Sequence, residues 1–496
     1  MKSVALSFAR LECALLLIVF GSRLAVFSYS GSPLPYYDQW IAEFNSTLLS
    51  VAMGQNYAAL INPHNEHLLI TTKILTLLGY LINGYWDIPF LVICSAGTRA
   101  LTAAWTFQLI AHAAQPKTKA FLCVLCIAVF AIPFSGFNFL NGMQICFYCA
   151  DLALVWSLRT TTNWGTPITS GLALIGGTLF GVASLASAAA IPACTLAAYF
   201  FQRRVRPGFW FAWTISVTIV LGFIFIGKST AAVALGNHRS LQEMVYFGLR
   251  IISWPINLAP VGVIVTFLCA IAVFVALKHP QNQRGAHATI LGLGVYSLLN
   301  AAFIAISRDQ SEWHMRHWET NSLLPFAALA FGLRLTELDA PRKNALILTG
   351  IIALVYVFCM GNLVRTISWP YVKSAHDSRS AALNHYRALL LKQDLREESE
   401  RMNTLLETKN FSFFDDPIGR FSLSPIVLEN LSILHRRPLA MLSPDIIPAR
   451  SPSRFSWFTG QLIASGWILG LLGIALGVAA GYRERSQFPD AMAATT

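Results

Sequence analysis

Apolar stretches close to the length of a bilayer-spanning helix recur along this 496-residue chain, and they limit its possible folds more than any other feature. A helix of roughly 20 apolar residues crosses the ~30 Å hydrocarbon layer of a bilayer. Mean hydropathy is +0.55, and the charged fraction of 12% is about half that of a typical soluble domain. The sequence therefore predicts an all-α polytopic membrane protein.

We predict about twelve transmembrane helices, with both termini on the cytoplasmic side. They lie near residues 11–29, 88–112, 119–135, 139–158, 166–184, 187–202, 208–226, 256–277, 287–306, 319–336, 344–363 and 457–481. The first stretch is interpreted as an uncleaved helix rather than a signal peptide, because it is long, contains Arg23 and precedes many further spans.

The sidedness of the chain depends on segment 66–83. Its polar residues recur at steps of three and four, which predicts a helix with one polar and one apolar face that lies in the membrane interface. Most Lys and Arg residues between the spans then fall on the inner side, in agreement with the positive-inside rule. The net charge of +12 is therefore a topology signal, and nucleic-acid binding is not predicted.

Three regions follow from this topology. Residues 1–363 form a transmembrane domain whose first outer loop is 30–87, residues 364–456 form a small outer domain, and residues 457–496 form a final transmembrane helix with an inner tail. All nine cysteines fall within apolar segments, so no disulfide framework is predicted.

The first outer loop carries the most informative polar residues. It contains no Lys or Arg between residues 23 and 73, and Tyr36-Tyr37-Asp38-Gln39-Trp40 follows the first span. A carboxylate held at the lipid boundary among aromatic residues is placed to accept a proton, so Asp38 is a candidate general base. Tyr37 and Trp40 suit stacking on a sugar. The alternative is an interfacial aromatic anchor with a solvated Asp38.

A second cluster in the same loop contains His64, Glu66 and His67, just before the interfacial helix. Glu66 and His67 are candidate catalytic residues, and the alternative for Glu66 is stabilisation of the helix N-terminus. With Asp38, this set also has the ligand types of a divalent-metal site. The spacing fits no metal signature, so we assign no metal ligand and keep a divalent cofactor as an alternative.

Basic residues in outer positions suggest a phosphate site. Arg308, Arg316 and His317 crowd into one short outer loop, where positive charge is disfavoured, and phosphate binding explains them. The alternative is pairing with nearby acidic residues. Arg99 lies inside a predicted span, where an ionisable residue is a functional candidate. Lys228 in the 227–255 loop is a weaker candidate of the same kind.

Four short motifs occur in a defined order along residues 1–340. They are Asp38-Gln39-Trp40, Glu66-His67, Phe139-Leu140-Asn141-Gly142-Met143-Gln144 and Met315-Arg316-His317-Trp318. In this order and sidedness they resemble the GT-C superfamily of integral-membrane glycosyltransferases, in particular bacterial members. The chain departs from them at Leu68, where relatives carry Arg, at His317, where they carry Tyr, and at the single Asp38, where many carry an acidic pair.

The resemblance implies a GT-C-like fold with interfacial helices in the first outer loop. It implies an inverting transferase that moves a sugar from a polyprenyl-phosphate carrier to a cell-envelope glycan or lipid acceptor. The reaction would take place on the periplasmic face of a bacterial inner membrane, among membrane lipids. Asp38 would be the general base, Arg316 would contact the carrier phosphate, and Gln144 would contact substrate.

Other classes remain as alternatives. A polytopic transporter or flippase for a lipid-linked or anionic substrate shares the many spans and the basic outer residues. An O-antigen ligase or polymerase would place its key residues in the 364–456 segment, and a membrane scaffold would have no catalytic residues.

Overall fold

The computed structural model describes residues 2–33, 39–64, 67–161, 167–181, 185–202, 208–231, 240–277, 284–307, 318–335, 337, 342–377 and 453–486. Within these ranges the chain is helical and contains no strand, apart from one isolated bridge between His64 and His67. The predicted all-α class is confirmed for this part of the chain.

Each of the twelve predicted apolar segments contains a helix. In chain order the helices are α1 (Lys2–Ser30), α2 (Trp40–Met53, wound as a π-helix), α3 (Ile70–Asn83), α4 (Ile88–Ile110), α5 (Pro116–Phe130), α6 (Gly136–Leu140), α7 (Ile145–Arg159), α8 (Pro167–Phe180), α9 (Leu185–Gln202), α10 (Phe209–Ala231), α11 (Leu241–Ile252), α12 (Ala259–Leu277), α13 (Arg284–Ser307), α14 (Trp318–Asn321), α15 (Leu323–Leu335), α16 (Arg342–Leu363), α17 (Arg454–Ala464) and α18 (Gly466–Ser486). A 3₁₀ turn, Gly142–Gln144, precedes α7.

Several of these helices have the length and apolar character of membrane spans. In the described ranges they are Arg10–Ser30, Ile88–Ile110, Gly285–Ile306 and Thr349–Asp377. Helices α17 and α18 together make a fifth if their 53° bend lies within one span. The chain is therefore a helical protein with several apolar helices that suit a membrane, and the finer count of twelve spans stays a prediction.

Helix α3 turns its polar side chains inward. Thr72, Lys73 and Thr76 are buried, whereas Leu78 and Leu81 are among its exposed apolar residues. With 14 residues the helix is about 21 Å long, which is too short to cross a ~30 Å layer alone. This length and this distribution of residues fit the predicted interfacial helix, with its apolar face toward lipid.

The first and last helices pack closely because small residues line their contact. A Cβ atom added at Gly466 would lie 2.5 Å from the backbone nitrogen of Ala25, and one added at Gly473 would lie 2.8 Å from the carbonyl oxygen of Ala14. Membrane helices associate through such close contacts, because lipid provides no hydrophobic force between them. Helix α18 is therefore held directly against α1.

Helix α17 is bent by 53° relative to α18 and packs beside the C-terminal end of α3 and the N-terminal end of α4. The hydroxyl of Ser453 donates to Oδ1 of Asn83 at 2.6 Å, and the rings of Phe455 and Phe90 lie 5.8 Å apart. Ser453 also caps α17 by accepting from the backbone nitrogen of Ser456 at 3.0 Å. The predicted span 457–481 is consequently broken at Ser465.

The contact between α1 and α18 predicts opposite effects of Gly→Ala at two positions. Gly466→Ala should lower the free energy of unfolding by about 1–3 kcal/mol, since the added methyl meets backbone. Gly361→Ala, where a Cβ meets nothing within 4 Å, should be neutral or raise it by about 0.5–1 kcal/mol. Thermal unfolding of the two purified variants in detergent checks this, and equal effects would contradict it.

Candidate functional site

Most of the predicted site residues lie outside the described residues. These are Tyr37, Asp38, Glu66, Arg308, Arg316 and His317. Trp40 and Lys228 fall within helices α2 and α10, and only their backbone is described. His67, Arg99 and Gln144 are described with their side chains, and the residues that flank each motif show which segments the fold brings together.

The segment around His67 is anchored to α7. His64 and His67 exchange two backbone hydrogen bonds of 2.8 and 2.9 Å. These two residues, which flank positions 65 and 66, therefore lie next to each other. The ring of His67 packs edge-on against Phe147 of α7, with 5.5 Å between ring centroids. Asn62, two residues before His64, accepts at its carbonyl oxygen from the Lys73 ammonium at 2.7 Å. This segment is thus fixed at both ends.

Part of segment 30–87 rests on the turn before α7. A buried apolar cluster joins α2, the start of α3, this turn and α7, through Ala42, Leu69, Met143, Cys146 and Ala150. The hydroxyl of Thr72 also donates to the carbonyl oxygen of Met143 at 3.3 Å. The helices that follow the first and second motifs therefore meet at the third.

The turn requires a glycine where it meets α4. A Cβ atom at Gly142 would lie 2.7 Å from Cβ of Leu91 and 3.2 Å from the backbone nitrogen of Val92. Any larger residue would push the turn away from α4. The glycine of the Phe139–Gln144 motif thus has a packing role that holds Gln144 in place.

Glu43 clamps the residue that follows Asp38. Its Oε1 accepts from Nε2 of Gln39 at 2.9 Å, and its Oε2 accepts from Nε1 of Trp86 at 2.7 Å. The carboxyl group is fully buried, and burial raises the pKa of Glu43 from its usual 4.5 to about 7. Through this clamp the start of α2 is tied to the segment between α3 and α4.

Four charged side chains form a buried ionic network. Arg23 pairs with Glu319 at 2.7 Å and donates to the Tyr148 hydroxyl at 2.8 Å. Arg99 pairs with Asp151 at 2.6 Å, and its Nε lies 3.5 Å from the same oxygen of Glu319. Each charged side chain is at most 3% exposed. Two cations and two anions balance, which is the condition under which charges tolerate burial.

Aromatic rings cover the two guanidinium groups of this network. Cζ of Arg23 lies 4.0 Å from the ring centroid of Phe139 and 4.6 Å from that of Tyr148. Cζ of Arg99 lies 4.4 Å from the ring centroid of Phe130. These cation–π contacts connect the network to α5 and α6 as well as to α1, α4, α7 and α14.

Gln144 lies on the side of α7 that faces the network. Gln144, Tyr148 and Asp151 are four and then three residues apart, so they share one helix face. The Gln144 side chain is buried, and neither its amide nitrogen nor its amide oxygen has a hydrogen-bond partner among the described residues. A buried primary amide in this state is able to bind a polar ligand.

Sequence reasoning found Arg99 but missed its partners. We predicted Arg99 as a phosphate contact, and in the described structure its ion pairs are with Asp151 and Glu319. Arg23 and Asp151 lie within predicted spans, and Glu319 begins one. An ionisable residue inside a span is a functional candidate, so this rule applied to them as well as to Arg99. The pairing itself joins residues up to 296 positions apart, and no local pattern encodes it.

Within the described ranges, no group of three or more His, Cys, Asp or Glu side chains is placed to hold a metal ion. Asp38 and Glu66, on which the alternative of a divalent cofactor depends, lie outside those ranges. Comparison of the chain with protein-family models, curated proteins and solved structures finds no match. Any functional conclusion must come from the arrangement of this chain's own residues.

The ionic network predicts strong coupling between Arg99 and Asp151. Arg99→Met or Asp151→Leu alone leaves a buried charge without its closest partner, and each should cost about 3–5 kcal/mol. The double variant removes both charges and should cost clearly less than the sum of the two. The coupling is measured by denaturing the parent protein, the two single variants and the double variant in the same detergent. Additive losses would show that the two side chains do not depend on each other.

The Glu43 clamp predicts a pH dependence of stability. The folded protein holds the Glu43 proton more tightly than the unfolded chain does, so stability falls as pH rises from 4.5 through about 7. The shift corresponds to a loss of about 3 kcal/mol. Unfolding midpoints across this pH range should show a shallower decline for Glu43→Gln than for the parent protein. Identical pH profiles would contradict the assignment.

Proposed function

We propose that the protein is an inverting, GT-C-like membrane glycosyltransferase. It transfers a sugar from a polyprenyl-phosphate carrier to a glycan or lipid acceptor of the cell envelope. In this proposal the chain has about twelve transmembrane helices with both termini in the cytoplasm. Its active site lies on the periplasmic face of a bacterial inner membrane.

The observation that carries the proposal is the convergence of the four motif regions on the start of α7. Ala42 of α2 and Leu69 pack against Met143 and the first turns of α7. His67 packs on Phe147, which directly precedes Tyr148 in the sequence. Glu319 follows the fourth motif directly and is joined to Tyr148 through Arg23. Segments distant in sequence thus meet where one active site would need them.

The chemistry of the proposal assigns one role to each kind of side chain. Asp38 accepts the proton of the acceptor hydroxyl, whose oxygen attacks the anomeric carbon. The bond from that carbon to the carrier phosphate breaks, and the electron pair leaves with the phosphate oxygen. Arg316, with Arg308, His317 and Lys228, stabilises the phosphate as its charge grows. Attack from the side opposite the leaving group inverts the anomeric centre.

The buried network gives this chemistry a rigid support. Glu319 is only three residues from Arg316 in sequence, and its carboxylate is held by Arg23 and Arg99. Gln39, the neighbour of Asp38, is held by Glu43. In the proposal these two supports keep the general base and the phosphate contact at a constant separation, as in-line displacement requires.

The test is sugar transfer in proteoliposomes that contain the purified protein and a panel of undecaprenyl-phosphate sugars carrying a radiolabel. Asp38→Asn should lower the transfer rate by about 10²–10⁴-fold, which is the usual effect of losing a general base. Asp377→Asn, at an exposed position where the helical segment Thr349–Asp377 ends, is the matched control and should leave the rate unchanged.

Full activity of Asp38→Asn would refute the catalytic assignment. Movement of labelled lipid-linked sugar between leaflets, without transfer to any acceptor, would favour the transporter alternative.

A further inference from the structure

A cavity of about 200 Å³ lies between the C-terminal end of α1, the start of α4 and helix α17. Pockets for drug-sized ligands occupy roughly 300–1,000 Å³, so this one suits a single small ring. Its described lining is Phe27, Ser28, Gly31, Ser32, Pro33, Tyr85, Asp87, Pro89, Ser456, Thr459, Gly460, Ile463 and Ala464.

The lining is rich in hydroxyl groups and carries one carboxylate. Ser28, Ser32, Ser456 and Thr459 each bring a hydroxyl group to the lining. The Thr459 hydroxyl donates to the carbonyl oxygen of Ser456 at 2.8 Å, so toward a ligand it acts as an acceptor. Asp87 contributes a carboxylate, whose oxygens accept from the backbone nitrogen of Phe90 at 3.0 Å and from Nδ2 of Asn83 at 2.8 Å. This set matches a ligand with several hydroxyl groups.

The same lining disfavours an anion. Among the described lining residues there is no Lys, Arg or His, while Asp87 contributes negative charge. A phosphate needs cationic or N–H donors, and a carboxylate repels it. The rings of Phe27 and Tyr85 add apolar surface, which suits the face of a sugar ring. The cavity therefore fits a neutral polyol better than a phosphate or a phospholipid headgroup.

Both ends of the segment that contains Asp38 are anchored beside this cavity. Pro33 lines it, and Asp38 follows five residues later, which is at most roughly 18 Å of chain. On the other side, Gln39 is held through Glu43 to Trp86, which lies between the lining residues Tyr85 and Asp87 in sequence.

Helix α17 is fixed as one wall of the cavity. Oδ1 of Asn83 accepts from Ser453 at 2.6 Å, while Nδ2 of Asn83 donates to Asp87 at 2.8 Å. This chain of hydrogen bonds joins α17, α3 and α4 directly beside the lining residues Ser456 and Thr459. The bend at Ser465 is what brings these hydroxyl groups to the cavity.

We propose that this cavity binds the neutral, hydroxyl-rich ring of a saccharide, with Ser456, Thr459 and Asp87 as its polar contacts. The inference rests on the proposed function in one respect, since a glycosyltransferase must hold a sugar beside its general base. It adds that the last helices, which lie outside the GT-C resemblance, supply part of the binding site.

Gly460 allows a direct test, because a Cβ added there meets nothing within 4 Å. We would introduce Gly460→Cys into the full chain and measure its labelling rate with a membrane-impermeant maleimide, subtracting the labelling of the parent protein. Methyl glycosides of glucose, galactose, mannose, N-acetylglucosamine and arabinose are the probes. Glycerol phosphate represents a lipid headgroup. Ala58→Cys, exposed in the first outer loop and outside the cavity, is the matched control.

At least one methyl glycoside should slow labelling of Gly460→Cys by about tenfold at ten times its Kd, because labelling then requires the free protein. Labelling of Ala58→Cys should not change. Lack of protection by every glycoside would overturn the proposal, and so would equal or better protection by glycerol phosphate.

The labelling assay needs no transfer reaction, so its outcome is separate from that of the proposed function. Protection by a glycoside would support a saccharide site even if Asp38→Asn kept full transfer activity. As a second measurement, Gly460→Leu fills the cavity and should raise KM for the saccharide substrate far more than Gly361→Leu, a position that also has open space. An unchanged KM in Gly460→Leu would overturn the proposal.

Discussion

The pairing of Arg23 and Arg99 with Asp151 and Glu319 is the constraint on which the rest of the structure depends. An isolated charge in a medium of low dielectric constant costs several kcal/mol even after relaxation. Burying any of these four side chains without its oppositely charged partner would therefore carry that desolvation cost. Helices α1, α4, α7 and α14 must therefore assemble together, and this leaves the bundle little freedom to settle in another arrangement.

The network is also connected to segment 30–87. Tyr148 extends the network along α7 toward Gln144, and the apolar cluster around Met143 joins the same turn to α2 and α3. Glu43 and Lys73, both from this segment, are buried and hydrogen-bonded. Glu43 and Lys73 thus anchor the described parts of this segment in the interior.

Much of the fold was predictable because hydrophobic length and periodicity are local properties. The apolar segments became helices, and the polar face of α3 was visible in the spacing of Thr72, Thr76 and Asn83. The bend at Ser465 was not predictable, since α17 contacts residues far away in sequence, as the hydrogen bond between Ser453 and Asn83 shows. The candidate site divides in the same way: motif residues were recognisable one by one, whereas the partners of Arg99 come from distant helices.

In the proposed function, the cavity and the basic segment 308–317 serve different parts of one lipid-linked substrate. A lipid-linked sugar has a neutral ring and an anionic phosphate, and each half needs a different environment. The described cavity lining offers hydroxyl groups and one carboxylate without a cation, while Arg308, Arg316 and His317 are concentrated in another segment. The proposal therefore assigns the two halves of the substrate to residues from different parts of the sequence. Glu319, which follows the basic segment 308–317 in sequence, is paired with Arg23 and Arg99. In the proposed function this pairing keeps its carboxylate from competing for the cations that a phosphate needs.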